Sequence, residues 1–446
     1  GYFGAVSFAS SVAFVVASLI VAVVFAAVAL AALVLVVDFL GGREMKKIIK
    51  CGQLFTAEDE SVQHNMCIVI EDNIIIDVIK ENLCKDEGEV IDLTDKFIMP
   101  GLIDAHVHVC LDGSPTADPM YHKLPEEVTI SAMLEAKKDL MAGFTTIRDE
   151  GGVNFSDIAV KKAIDNKLIK GPRMFVSGPA LTSIGGHGDS HFSPQILNAS
   201  LGIVVNGADE ARNAARLNLK YGADQIKLFA TGGVMSFGDE PGAAELTFDE
   251  MKAALEIANL KGRISSAHAH GAEGIKNAIK AGVTSIEHGM LIDEEAMEMM
   301  VEHGVYLIPT IIAAERIIEF GKKGTLPKWM AEKAEECLKN HGKHIKRMID
   351  MGVKIGFGSD AGCAFDNHGD QGFEFELMTR YGFSPAGALL SATKVNSELL
   401  KLQNQIGTIQ PGKLADIVGF DKNPLEDISV MTECSFVMKD GEVYKS

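Results

Sequence analysis

From Lys46 the chain alternates short apolar runs with acidic and Gly-containing turns: KKIIKCGQLF, NMCIVIEDNIIIDVI and GEVIDLTDKFI. Runs of this length broken by turn residues predict strands, so residues 46–98 should form a small β unit. The pattern returns at the far end in LADIVGFD and ECSFVMKDGEVYKS, where Lys439-Asp440-Gly441 marks a hairpin turn. The two ends, 46–98 and 401–446, are expected to join as one composite β-sandwich. Over 99–400 the periodicity changes to strand then helix, repeated, which implies parallel strands with crossover helices. Eight runs qualify as strands: Ile103–Val109, Thr145–Asp149, Met174–Ser177, Gln225–Ala230, Ile264–His270, Ser285–His288, Tyr306–Thr310 and Lys354–Ser359. Eight such units predict an α/β fold of the (β/α)8 TIM barrel type. Pro125, with Glu126 and Glu127, opens the first barrel helix and Gly143 closes it, and a long helix is expected over about Pro327–Met351.

The first residues do not fit this scheme. Gly1 to Val37 contains no charged side chain and is dominated by Ala, Val, Leu and Phe. On hydropathy the segment 1–44 is a transmembrane candidate. Arg43, Lys46, Lys47 and Lys50 follow it, which by the positive-inside rule would leave the remainder in the cytoplasm. The competing reading is an extension foreign to a protein that begins at Met45, and on that reading there is no membrane contact.

Composition narrows the partners. A formal net charge of -19 over 446 residues argues against nucleic acid, which needs clustered Lys and Arg. Small molecules or dipeptides fit better, and a homo-oligomer is expected. Seven cysteines, odd in number and without a C-x-x-C pair, read as reduced thiols in a cytoplasmic protein.

The candidate chemistry lies at strand ends. In GLIDAHVHV, His106 and His108 are two residues apart and so share one face of a strand, a posture that suits a metal ion and that two chance histidines would also show. Reacting groups of such a barrel stand at the C-terminal ends of its strands. There the fourth strand carries Lys227, the fifth His268 and His270, the sixth His288 and the eighth Asp360. One zinc needs three protein ligands plus water, so this surplus argues for two divalent metal ions, zinc by ligand type.

Taken in order, GLIDAHVHV, IKLFATGG, AHAHG, IEHG and GFGSDAG resemble the amidohydrolase superfamily over Lys46 to Ser446. The resemblance implies a binuclear centre in which Lys227, carboxylated by carbon dioxide, bridges the metals. It also implies that His106, His108 and Asp360 hold the more buried ion and His268 and His288 the other. For Lys227 the alternative is a buried lysine paired with Asp224 or Asp149. The metals would lower the pKa of a bridging water and polarise a carbonyl. Asp360 would be ligand and catalytic proton shuttle together. RDEGG, GGHGD and KLFATGG resemble the branch of Xaa-Pro dipeptidases and Xaa-Arg/Lys carboxypeptidases. That branch often places a tyrosine where this chain has His270.

His270 is assigned to substrate binding, with a core histidine as the alternative. His187, in the Gly-rich TSIGGHGDSH loop, could bond a substrate carbonyl or simply face solvent. Asp112, Asp118, Asp189, Asp239, Glu240, Asp366 and Asp370 on mouth loops would make the entrance acidic, through solvated charges or through a preference for cationic substrates. GTIQPGK, residues 407–413, has P-loop spacing, but Leu414 replaces the required Ser or Thr; there is also no G-x-S-x-G and no H-E-x-x-H. The resulting expectation is a metal-dependent hydrolase cleaving a C–N amide bond. An imidazolonepropionase-like cyclic amide hydrolase or deaminase is the enzymatic alternative, and a metal-holding scaffold barrel the non-enzymatic one.

Overall fold

A computed structural model describes residues 46–189 and 200–446, apart from Asp86 and the side chains of Asp118 and Pro119. The apolar segment 1–44 lies outside the described residues. Among those that are described, no helix is long and apolar enough to cross a membrane.

The strands are β1 Lys46–Phe55, β2 Val62–Glu71, β3 Ile74–Lys80, β4 Glu89–Pro100, β5 Leu102–Val107, β6 Phe144–Asp149, β7 Arg173–Phe175 and β8 Ala180–Ser183. They continue with β9 Gly202–Val205, β10 Gln225–Phe229, β11 Ile264–Gly271, β12 Ser285–Leu291, β13 Tyr306–Ile308, β14 Ile417–Phe420, β15 Cys434–Lys439 and β16 Glu442–Lys445. Both ends of the chain meet in one seven-stranded sheet, ordered β16-β15-β14-β4-β1-β2-β3. β4 is the seam, parallel to β1 on one side and antiparallel to β14 on the other. Strand alternation gives this sheet two apolar faces. Ile49, Ile68, Ile98, Ile417 and Phe436 form a core of their own, while Phe55, Phe97, Val418 and Phe420 pack on Leu140 and Phe144 of the parallel part. The ladders therefore join the two ends edge to edge in one sheet; the facing sheets expected of a sandwich are not what they describe.

The parallel strands form two sheets, β13-β12-β11-β10-β8-β9 and β5-β6-β7. These ladders do not close into a ring. Residues 354–359, expected as the eighth strand, and the two that follow make only isolated bridges, at Ile355 and Ala361. They still span the gap: Leu307 N donates to the Lys354 carbonyl, Ala105 N to Phe357, and Asp360 N to His106, at 2.9, 3.0 and 2.7 Å. A Cβ on Gly358 would lie 2.3 Å from the Ile308 side chain and 2.9 Å from that of His106, so the close approach demands glycine, and glycine weakens regular pairing. Between β7 and β10 one backbone bond, Asp224 N to the Val176 carbonyl, bridges the opening. β8 runs into the start of the Gly-rich TSIGGHGDSH segment, read from the sequence as loop, and β9 is a strand the sequence reading did not include.

The long helix expected over 327–351 is two, Lys328–Leu338 and His341–Met351. The first buries Met330, Ala334 and Cys337 in one cluster, the second Ile345 and Met348 in another. The break at Lys339 and Asn340 lets each half face its own core.

Arg173 of β7 couples the two architectures, with its guanidinium 2.5 Å from both Asp416 and Asp440 beside β14 and β15. Arg173→Ala is predicted to cost about 3 kcal/mol, because Asp416 stays buried without its cation. Denaturant unfolding measures this, and an unchanged midpoint would show the pair to be dispensable.

Candidate metal centre

At the end of β5, His106 and Val107 point in opposite directions, Val107 into the core and His106 into the cavity, so His108 returns to the face of His106. His106 Nε2 and His108 Nε2 lie 3.2 and 3.3 Å from Asp360 Oδ1. The donor atoms of these three residues all lie within 4.8 Å of one another. Asp360 Oδ1 is buried and has no hydrogen-bond donor. Two imidazole nitrogens converging on an orphaned carboxylate oxygen fit a divalent cation of the zinc class.

The far nitrogens of the rings are also fixed. His106 Nδ1 is 2.8 Å from Glu287 Oε2, and His288 Nδ1 is 2.6 Å from Thr310 Oγ1, which leaves each Nε2 for a ligand. Asp104 accepts from His106 N and from Ser359 N and Oγ, tying β5 to the segment that carries Asp360. Burial pushes the Asp104 carboxyl up to about 7 against those hydrogen bonds. His288 and Asp360 have φ of 70° and 72°, in the left-handed region that non-glycine residues seldom occupy. At His288 this breaks strand alternation, so Glu287 and His288 both reach the interior. Burial, reinforced by neighbouring histidines, keeps the His268 and His288 imidazoles well below their ordinary pKa, in the neutral form a metal requires.

Lys227 of β10 is 1% exposed. Its partner is neither Asp224 nor Asp149 but Glu150, at 3.0 Å. Asp224 lies 3.9 Å from Lys161 and Arg263, and Asp149 accepts from the backbone of Val109 and Gly151. Glu150 also lies 2.8 Å from Arg148 Nε as an ion pair and accepts from Gln225 Nε2 at 2.9 Å and Ser266 Oγ at 2.6 Å. Arg148, fully buried, donates further to Ser285 and Glu287. Sequence reasoning passed over Arg148, Glu150 and Glu287 as site residues. Their signal was there, as charged side chains inside or at the end of strands with no route to water.

His187 and His270 join the same group. His187 stacks on His268 with ring centroids 4.4 Å apart, and its Nδ1 is 2.6 Å from Ser236 Oγ. A Cβ on Gly233 would fall 2.1 Å from the His187 ring, so glycine makes room for it. His270 sits edge-on to His268 at 4.8 Å and leaves Nδ1 without a partner; burial, reinforced by His187, lowers its pKa to about 3. His106, His108, His187, Lys227, His268, His270, His288 and Asp360 all line one cavity of about 420 Å3.

The acidic entrance is largely neutralised. Asp112 pairs with Lys123 and Asp239 with Lys333, both at 3.1 Å, and Asp189 accepts from Gly185 N. Asp366 is fully buried, Glu240 and Asp370 do not line the cavity, and the Asp118 side chain lies outside the described residues.

Residues 97–444 match the profile of the Amidohydrolase family. Ochratoxinase of Aspergillus niger is 31% identical over 432 residues, covering 89% of this chain and 86% of that protein. A Xaa-Pro dipeptidase crystallised with methionine in its active site has 36% identity and a TM-score of 0.85, covering 90% of this chain and all of the other. A prolidase complexed with N-methylphosphonate-L-proline has 31% identity and a TM-score of 0.84 at the same coverage.

Glu287→Gln removes the charge behind His106 while keeping its shape. It is predicted to weaken the tighter-bound metal about 10- to 100-fold. Competition with a chromogenic chelator reads this directly, and unchanged affinity would detach Glu287 from the centre.

Proposed function

The chain belongs to the amidohydrolase family, and from that premise we propose that it hydrolyses C–N amide bonds of dipeptides or N-acyl amino acids at a two-metal centre. The observation that carries this reading is the convergence of His106, His108 and Asp360 in one cavity with Lys227, His268 and His288. In it, His106, His108 and Asp360 hold one zinc-class ion and His268 and His288 the other, with Lys227 joining them as a carbamate. Glu150 is compatible with the carbamate, because it keeps Arg148 as its counter-charge and Gln225 and Ser266 as donors when Lys227 is no longer an ammonium. When bound, the metals supply an activated water and polarise the carbonyl.

Asp360 then accepts the proton of the nucleophile and returns it to the leaving nitrogen. His187 and His270 orient the substrate from the neighbouring wall. The two parallel sheets, with residues 354–361 between them, form the eight-unit barrel domain of residues 99–400. Residues 46–98 and 401–446 form the accompanying β domain. All seven cysteines are free, which supports a cytoplasmic location.

The Lys227–Glu150 ion pair supports a second reading, in which Lys227 stays an ammonium and one metal serves a cyclic amide hydrolase or deaminase. Metal stoichiometry separates the two. Two ions per chain are expected in the wild type, and Lys227→Ala should lose at least one while the far-UV spectrum stays unchanged. A single ion in the wild type would reject the carbamate. Asp360→Asn should retain dipeptide binding yet lose at least a thousandfold in kcat on an Ala-X panel, in line with the loss of a proton-transfer group. Near-normal turnover would remove Asp360 from proton transfer.

A further inference from the structure

The histidines form one side of the cavity, but most of its lining is apolar. Val234, Met290, Ala314, Ile317 and Met330 line it and belong to a single packed cluster, with Met235 and Trp329 against its edge. At the rim Phe237 is 68% exposed, its ring 5.8 Å from that of Trp329 and inclined at 70°. An exposed aromatic side chain standing edge-on to a second aromatic, inside the cavity that holds the catalytic groups, offers a ring-sized contact.

The charges of this wall are already matched. Lys333 Nζ donates to the carbonyls of Gly233, Ser236 and Asp239 and to the Asp239 carboxylate, and lies 5.4 Å from the centroid of the Trp329 ring. Asp112, also lining the cavity, is held by Lys123. A Lys or Arg side chain lying on this wall would lose its water against apolar side chains, with Asp112 and Asp239 each already holding a lysine, whereas an apolar group gains by leaving water.

We infer that the wall of Val234, Met235, Phe237, Ile317, Trp329 and Met330 is a substrate subsite for a bulky apolar group, an aromatic ring above all, on one side of the scissile amide. This rests on the amide-hydrolase reading for the meaning of the scissile bond, not for the binding itself. The same helix that presents Trp329 and Met330 holds, through Lys333, the loop whose Ser236 contacts His187. Filling the wall therefore bears on a histidine of the reacting site.

Trp329 is the only tryptophan of the 446 residues, so its fluorescence reports occupancy of this wall independently of turnover. Titrating the metal-loaded protein with 3-phenylpropionate should give a saturable fluorescence change. Acetate and 6-aminohexanoate should give none over the same range. Phe237→Ala, at an exposed position that does not threaten folding, should weaken the phenylpropionate response about fivefold. In parallel, N-acyl-alanine and Ala-X series of increasing apolar size should show kcat/KM rising in one of them by about fourfold per methylene. No saturable response to phenylpropionate, or an equal response to aminohexanoate, would overturn the subsite whatever the turnover. Saturation of the fluorescence without hydrolysis of any amide would leave the subsite standing and reject the amide-hydrolase reading.

Discussion

Three fully buried charges lie beneath the histidines, and the site depends on their being matched. Arg148 is a cation without access to water, Glu150 and Glu287 flank it, and the Lys227 amine lies against Glu150. Removing one member would leave a bare charge in a medium that barely screens it, at a cost of several kcal/mol. The arrangement is therefore fixed tightly, and it fixes what touches it. Glu287 aims the His106 ring, Arg148 holds the Ala105 carbonyl one residue before His106, and Glu150 collects donors from β10 and β11. Strand ends that no continuous ladder joins are thus tied by side chains at the depth where the metal-binding groups begin.

That arrangement also shows which parts of the molecule could be read from the chain and which could not. The interior strands were legible because their apolar runs end in ligand-type residues: 225–230 and 264–270 match β10 and β11 to within a residue. The meeting of the two chain ends was legible from their shared alternation. Residues 354–359 gave a strand signal but carry Gly356 and Gly358, and the crowding that requires those glycines also thins the ladder. Metal-type residues could be found because histidines at strand ends are conspicuous. Their charged supports could not, since Arg148, Glu150 and Glu287 acquire meaning only from partners up to 181 positions away. The acidic mouth was illegible for the same reason: a carboxylate count says nothing of the Lys123 turn that folds back on Asp112 or the distant helix that brings Lys333 to Asp239.

Within the cavity two kinds of interaction are kept apart. On the histidine side, orientation is set by directional bonds of 2.6 to 2.8 Å, such as those behind His288 and His106. On the apolar wall, contacts are broad and non-directional, contributed by side chains that pack as one cluster. The first kind suits a reaction in which a proton must move between defined atoms; the second suits recognition by size and shape. Lys333 touches both, gripping the loop of His187 while lying against the Trp329 ring.

The break at Lys339 and Asn340 acquires a further meaning in this light. Because Lys328–Leu338 and His341–Met351 serve separate cores, the former can be resurfaced without disturbing the latter, which packs with the helices and strands of the six-stranded parallel sheet. The wall of the cavity is thus a replaceable panel, carried on two helices and one loop outside the ladders, while the histidine end is part of the frame. A lineage that keeps this frame can change its diet by altering a few dozen atoms on the panel, and the chemistry would be inherited intact.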